Sequence, residues 1–368
     1  MLTLKKYKFE ILLLLFLSFS FFLTFYTTGF PLGGDNWVGR VQVLAGEAGA
    51  EIFSEGLGQA FLRPLGPLVA YFFTFFGLDA YSAMLLEDLI FYLVTPFLFF
   101  YAANYFFQDK KLAFYSSVFY SASYPFFKYS LGYMTDIGAW FFLILSILLT
   151  FKYLAVHQTD PKIENRILWL NPIVCFLGFL MKENGIVGIG FFVLIILLAT
   201  GFDLSAKFKK VMVSASLLVL LVIIYQIVYY SIFHFNSFDF FTVTKDIYFN
   251  RNYNFFGIIK KIVTLFSLGW LYVLLGFYRI FKDKNRRNKI IILSLIPISF
   301  SFLLWPYQSE RLMAIAVPLL SLLATAGINI KKPGIKFRLT ESLLIIIFIV
   351  ISRLTDYFII NFDFSFLG

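Results

Sequence analysis

Asp35 and Arg40 lie five residues apart, just after the first long apolar segment of the sequence. An ionisable side chain at a membrane boundary is costly to desolvate, and such residues often have a function. A solvated loop would equally account for an exposed carboxylate at this position. The positions of the other charged residues help to decide whether Asp35 has a function, because group-transfer chemistry needs acids and bases on the same side of the membrane.

The composition is that of a membrane protein. Of the 368 residues, 60% are hydrophobic and only 14% are charged, and 51 are Phe. Soluble domains do not combine so little charge with so many aromatic residues. The net charge is +10, but Lys and Arg fall in short runs between apolar segments, as in cytoplasmic loops that face anionic lipid. The sequence predicts an all-α polytopic integral membrane protein with no nucleic-acid partner.

Apolar runs of the length that a bilayer requires predict about eleven transmembrane helices in a single transmembrane domain, residues 1–368. The run 65–78 is too short to cross and is predicted to lie at the interface. With that choice the basic loops fall on the inner side, so the N-terminus is cytoplasmic and the C-terminus is outside. The predicted spans are 9–28, 85–107, 112–129, 137–156, 167–181, 185–202, 211–233, 257–281, 289–305, 312–328 and 340–360.

Two long loops face outside in this topology, residues 30–67 and 234–256. The first is predicted to contain a helix over Val41–Phe53 that lies along the membrane interface. The span 167–181 contains Pro172, which predicts a tilt or a break in that helix. No soluble domain is expected.

Acidic and basic side chains are mixed on the predicted outer face, whereas the inner face is mainly basic. Guanidinium and ammonium groups bind phosphate, and a carboxylate can take a proton from a hydroxyl nucleophile. The mixture suits transfer of a group from a phosphate leaving group to a hydroxyl. The candidate site residues are Asp35, Arg40, Arg63, Lys128, Asp136, Lys182, Glu183, Glu310 and Arg311.

Most of these charged residues could instead have an ordinary structural role. Asp136 stands where it can cap a helix N-terminus, and Lys182–Glu183 can be a polar turn between two spans. Glu310–Arg311 can form a local ion pair, and Lys128 can snorkel to the interface. Glu87–Asp88 is predicted to lie near the start of its helix, where carboxylates complement the helix dipole.

Short motifs follow one another in order along residues 1–328. They are an Asp in the first outer loop (Asp35), a Pro-rich stretch (Arg63–Pro67), a Phe-Gly step (Phe76–Asp79), an Asp after the third span (Asp136), a basic-acidic-Gly turn (Lys182–Gly185) and a late Arg before a Pro-containing span (Arg311–Pro318). This order resembles the membrane glycosyltransferases of the GT-C class, which use sugars linked to polyprenyl phosphates. Asn36 and Leu312 depart from the acidic residue and the Tyr that are common there, which leaves the sugar and the acceptor open.

The resemblance implies a role for each site residue. Asp35 would be the general base on the acceptor hydroxyl, and Arg311, with Arg63 or Lys128, would hold the lipid phosphate that leaves. The residues that position the substrates would be Arg40, Asp136, Lys182, Glu183 and Glu310.

The resemblance also implies the partners. The donor would be a sugar on undecaprenyl or dolichyl phosphate, reached from the outer leaflet of the membrane lipid, and the acceptor a hydroxyl of a glycan, a lipid or a protein. No cofactor is required, although Asp35 with Asp136 or Glu183 could bind a divalent metal through oxygen ligands. The expected location is the plasma membrane of a prokaryote rather than the endoplasmic reticulum.

Two other classes of protein fit the same composition. A transporter or lipid flippase of envelope biogenesis would place ionisable groups near the bilayer midplane and often contains inverted repeats, which the sequence does not show. A non-catalytic membrane subunit would carry the outer charges only as solvated side chains.

Overall fold

The structure is a computed structural model that describes residues 6–28, 35–53, 61–157, 159–198, 203–235, 255–304 and 310–328, with isolated positions after residue 346. The described residues form helices and connecting turns and contain no strand, which confirms the all-α prediction. The α-helices are α1 (Lys8–Thr28), α2 (Asp35–Ala45), α3 (Leu65–Thr74), α4 (Ala80–Phe107), α5 (Lys110–Ala122), α6 (Tyr124–Tyr129), α7 (Asp136–Val156), α8 (Pro161–Met181), α9 (Gly188–Leu198), α10 (Leu204–Phe233), α11 (Phe255–Phe266), α12 (Gly269–Lys282), α13 (Arg286–Ser299), α14 (Glu310–Met313) and α15 (Val317–Ile328).

Five helical segments within the described residues are long and apolar enough to cross a membrane. They contain between 18 and 30 residues, which at about 1.5 Å per residue matches the hydrocarbon core of a bilayer. The protein is therefore a membrane protein by this criterion, while the predicted count of about eleven spans is not confirmed. The segments are Ala80–Phe107, Asp136–Val156, Pro161–Met181, Leu204–Phe233 and Arg311–Ile328.

Two predicted spans are each interrupted by non-helical residues between two α-helices. The run 112–129 divides at Ser123, whose extended backbone ends α5, and Pro125 stands in the first turn of α6. Proline suits the first turn of a new helix because its missing N–H is not needed there. The run 257–281 divides where Ser267 takes a left-handed conformation with φ of 47° between α11 and α12. Neither run is the single continuous helix that its hydropathy predicts.

The predictions for the short apolar run 65–78 and for the helix in the first outer loop agree with the structure in part. Helix α3 has ten residues and a length of about 15 Å, too short to span, as predicted for 65–78. The interfacial helix predicted over Val41–Phe53 is instead α2, which ends at Ala45 before a turn at Gly46 with φ of 73°. The predicted span 340–360, except for isolated positions, and residues 236–254 of the second loop lie outside the described residues.

Helix α8 passes through Pro172 without interruption and begins at Pro161. Of the two predicted outcomes, the break is therefore wrong, and the tilt stays a prediction. A proline inside a helix leaves the carbonyl four residues earlier without its donor. That carbonyl belongs to Leu168, and the hydroxyl of Ser214 on α10 donates a hydrogen bond to it at 3.1 Å. The neighbouring helix therefore supplies the donor that proline lacks, as is usual for prolines in membrane helices.

We expect Ser214→Ala to destabilise the protein by about 1 kcal/mol, because it leaves the Leu168 carbonyl without a donor inside the bundle. In a Pro172→Ala background the same change should cost much less, since the restored N–H of residue 172 can bond that carbonyl. Thermal unfolding in detergent of the four proteins of this cycle measures the difference. Equal costs of Ser214→Ala in both backgrounds would contradict the explanation.

Close backbone contacts and a polar network fix the helices that carry the site. Between α7 and α8, Ser146 donates to the side-chain oxygen of Asn171 at 2.8 Å, and the Asn171 amide donates to Thr150 at 3.1 Å. After α8 the chain turns back so closely that a Cβ on Gly178 would lie 2.9 Å from the carbonyl oxygen of Gly185. The start of α7 and the turn after α8 are thus held next to each other.

Helix α15, which follows Arg311, is held against α12. The backbone of α12 at Gly276 approaches the Leu323 carbonyl so closely that a side chain has no room there. At the end of α15, Arg279 donates to the carbonyls of Ala326 at 3.2 Å and Gly327 at 2.5 Å. These bonds satisfy carbonyls that a helix end leaves without donors.

Candidate functional site

Asp136, the first residue of α7, is a buried carboxylate between two cations. It is only 2% exposed, and it accepts a charged hydrogen bond from the ammonium of Lys182. The Nη1 of Arg311 lies 3.7 Å from its other oxygen. A buried charge is stable only when it is paired, so the two cations explain how the carboxylate is accommodated.

A second ion pair adjoins the first along the chain. Arg63, just before α3, approaches one oxygen of Glu183 with both Nε at 2.7 Å and Nη2 at 2.6 Å. Because Lys182 and Glu183 are consecutive residues in the turn after α8, this turn joins the two pairs. The side chains of Arg63 and Glu183 are about one fifth exposed, at 22% and 21%.

Lys128 and Arg311 share one aromatic ring. The ammonium of Lys128 lies 5.5 Å from the ring centroid of Tyr129, and the Arg311 guanidinium lies 5.7 Å from the same centroid. Lys128 also donates a hydrogen bond to the Tyr124 hydroxyl at 2.5 Å. No carboxylate pairs with Lys128 among the residues whose side chains the structure describes.

These six side chains form one group, which we call the ion cluster: Arg63, Lys128, Asp136, Lys182, Glu183 and Arg311. The group has four cations and two carboxylates, so it carries a positive excess. Burial lowers the pKa of Lys182, the Asp136 carboxylate opposes that effect, and Arg63 and Arg311 lower the pKa further. A concentration of positive charge at the end of apolar helices is suited to bind an anion.

A different ion pair lies at the other end of α7 and α8. There Lys210 of α10 binds the buried Glu164 carboxylate near the start of α8. Since α7 runs from Asp136 to Val156 and α8 returns from Pro161 to Met181, Glu164 and the ion cluster are separated by the length of these helices. The charged groups therefore occupy opposite ends of the helix pair.

Helix α2 carries the first predicted site residues, Asp35 and Arg40, and packs near the start of α7. Val38 and Val41 of α2 pack in one apolar group with Tyr133, three residues before Asp136. The buried Arg40 guanidinium lies 3.8 Å from the ring centroid of Trp37. Asp35 is the first residue of α2 rather than part of an irregular loop.

Not every predicted site residue can be placed by its side chain. The structure describes Asp35 as the first residue of α2 and Glu310 as the first residue of α14, but not the positions of their side chains. Asp136, Glu183 and Arg311, which are far apart in the sequence, come together with Arg63 and Lys182. The convergence of Asp35 with them remains a prediction.

Asp88 and Glu87 are not the helix-start charges that the sequence suggested. Helix α4 begins at Ala80, with Asp79 accepting from the Ser82 N–H as its cap, so both acids lie about two turns inside. They are 1% and 3% exposed. The signal that could have found them is a pair of carboxylates within an apolar segment, which marks a functional candidate in a membrane.

Tyr129 was also not anticipated. Nothing in the sequence distinguishes it from the other Tyr residues, of which the chain has 22 in all. Only the fold places its ring beside Lys128 and Arg311. Among the described side chains, no three His, Cys, Asp or Glu residues form a group that could hold a metal ion. Asp136 and Glu183, two of the predicted oxygen ligands, each bind a cationic side chain.

No family model matches the chain, and no curated protein matches its sequence.

Proposed function

We propose that this protein is a membrane glycosyltransferase. It would transfer a sugar from a polyprenyl phosphate to a hydroxyl of a glycan, a lipid or a protein on the outer face of the membrane. The observation that carries the proposal is the ion cluster, in which cations from several separate chain segments collect at one end of the apolar helices. The motif order, which resembles that of the GT-C class, agrees with it, and the positive-inside rule predicts that this end faces outside.

The bonds that form and break define what the site must do. The acceptor oxygen attacks the anomeric carbon as its proton passes to the Asp35 carboxylate, and the bond from that carbon to the phosphate oxygen breaks. The sugar configuration inverts, and the electron pair leaves with the phosphate. The donor phosphate carries one negative charge as a diester, and the leaving polyprenyl phosphate carries a second. Cations placed where this charge develops stabilise the transition state more than the ground state.

The cations differ in how closely they are paired with carboxylates. Arg63 directs two nitrogens to Glu183, and Lys182 is bound to Asp136. Arg311 is 34% exposed and 3.7 Å from an oxygen of a carboxylate that already binds Lys182. Lys128 and Arg311 are therefore the proposed phosphate ligands, while Arg63 braces the turn that carries Lys182 and Glu183.

We expect Lys128→Ala to weaken binding of undecaprenyl phosphate by roughly ten-fold or more, because a hydrogen bond to a charged group is worth about 1.5–3 kcal/mol. Lys111→Ala is the matched control, since Lys111 also lies over a tyrosine ring, 5.4 Å from that of Tyr115, but at the start of α5 outside the ion cluster. Native mass spectrometry of the protein in nanodiscs measures the affinity of both variants for undecaprenyl phosphate. Equal affinities for wild type and Lys128→Ala would remove Lys128 from the site.

One observation favours a transporter as a second candidate function. Glu87 and Asp88 lie inside a membrane-spanning helix with buried carboxylates, as the ion-coupling residues of transporters do. A transporter would lose its activity in Glu87→Gln and be indifferent to Asp35→Asn. A glycosyltransferase with the proposed site would show the opposite pattern in a transfer assay.

A further inference from the structure

Tyr129 lies close to both of the cations that the proposed function assigns to the phosphate. The distances from its ring centroid are 5.5 Å to the Lys128 ammonium and 5.7 Å to the Arg311 guanidinium. Both fall within the range of about 6 Å in which a cation is attracted by the quadrupole of an aromatic ring. Lys128 is the residue before Tyr129, whereas Arg311 comes from α14 far along the chain.

The ring counteracts a repulsion that the fold creates. Two like charges near one ring repel each other, and flexible lysine and arginine side chains would otherwise separate into solvent. The attraction of the ring and the hydrogen bond from Lys128 to the Tyr124 hydroxyl limit the positions of the ammonium. Arg311 is restrained further by Asp136 at 3.7 Å and by the Met134 sulfur at 3.2 Å. These contacts within the protein hold the two cations in place.

We propose that Tyr129 is a positioning residue that holds Lys128 and Arg311 as a two-point clamp for the lipid phosphate. The proposal rests on the proposed function and adds a residue that bears no charge. Donors fixed in advance bind an anion better than mobile ones, because less conformational freedom is lost on binding. The ring itself need not touch the phosphate. Its face is negative, so direct contact with an anion would be unfavourable.

Three variants separate the ring from the hydroxyl and from general packing. Tyr129→Leu removes the ring, whereas Tyr129→Phe keeps it and removes only the hydroxyl. Tyr124→Phe removes the other restraint on Lys128, the hydroxyl that receives its hydrogen bond, but keeps the ring that lies 5.0 Å from the same ammonium. Charge is unchanged in all three, so a difference between them cannot arise from a lost cation.

The first measurement needs no lipid and tests the positioning alone. Arg311 is modified with phenylglyoxal and Lys128 with an amine-reactive ester, and the rates are followed by mass spectrometry of the folded protein. We expect both rates to rise several-fold in Tyr129→Leu and to stay within two-fold of wild type in Tyr129→Phe. Unchanged rates in Tyr129→Leu, or equal increases in both variants, would overturn the proposal.

The second measurement uses the donor lipid and tests the clamp. In a transfer assay Tyr129→Leu should raise KM for the polyprenyl-phosphate sugar about ten-fold, with Tyr129→Phe close to wild type. A loss of folded protein alone would lower the apparent kcat and leave KM unchanged, and that result would count against the clamp. If wild type binds no undecaprenyl phosphate while the modification rates still depend on the ring, the proposed function fails and the positioning of the cations stands.

Discussion

Asp35→Asn should lower the rate of sugar transfer by roughly 10² to 10⁴-fold, the usual contribution of a general base, while donor binding stays nearly unchanged. The substitution keeps the shape and polarity of the side chain but removes the group that accepts the proton of the acceptor hydroxyl. Asp35 opens α2, and Asn is as good as Asp at a helix N-terminus, so the helix should be preserved. Turnover and binding of undecaprenyl phosphate are measured separately on the purified protein.

The matched control is Asp79→Asn. Asp79 is a carboxylate at the N-terminus of a neighbouring helix, where it accepts a hydrogen bond from the Ser82 N–H at 2.7 Å, and it has no assigned role in the chemistry. It should keep nearly full activity. Full turnover by Asp35→Asn would remove Asp35 from catalysis and return it to an ordinary residue at a helix start.

Arg311→Ala should weaken donor binding and lower kcat, with a combined loss in kcat/KM of at least about 10 to 150-fold. That range corresponds to one hydrogen bond to a charged group, about 1.5–3 kcal/mol, and the loss grows if the phosphate gains charge in the transition state. Arg311→Lys should recover only part of the activity, since an ammonium cannot reproduce the planar fork that grips two oxygens. Steady-state kinetics with varied donor concentration measure kcat and KM separately.

Arg279→Ala is the control for the loss of stability that follows from removing any buried or half-buried arginine. Arg279 donates to the last carbonyls of α15, so its loss should reduce thermal stability with little effect on the KM for the donor. If Arg311→Ala changes only stability in the same way, Arg311 is a structural residue and does not bind the phosphate.

Much of the fold could be predicted because apolar runs of sufficient length must become helices in a membrane. The predicted span 137–156 and the observed α7, Asp136–Val156, differ by a single residue. Breaks were harder to predict. Pro172 has its missing donor replaced by Ser214 from another helix, so the chain continues, whereas Ser267 breaks a run that has no proline. The continuation of the helix at Pro172 depends on a tertiary contact rather than on local preference.

The site was predictable to the extent that charge and topology determine it. Asp35, Asp136, Glu183 and Arg311 were expected together because the predicted topology puts them on one side of the membrane. The ion pairs join the last three, and the place of the Asp35 side chain stays a prediction. Asp88 was misassigned because the start of its helix was placed too late, at residue 85 instead of Ala80. Tyr129 could not be recognised, since its importance depends on a residue from α14 that is remote in the sequence.

Release of polyprenyl phosphate is the most direct test of the central claim, because every sugar donor of this class leaves the same product. Purified protein in nanodiscs is supplied with lipid-linked sugars and an acceptor extract, and the free undecaprenyl or dolichyl phosphate is quantified by mass spectrometry. Wild type should release it in an acceptor-dependent reaction, and the double variant Asp35→Asn with Arg311→Ala should release no more than a protein-free control. Equal release by wild type and the double variant, or none above the control by wild type, would contradict the account.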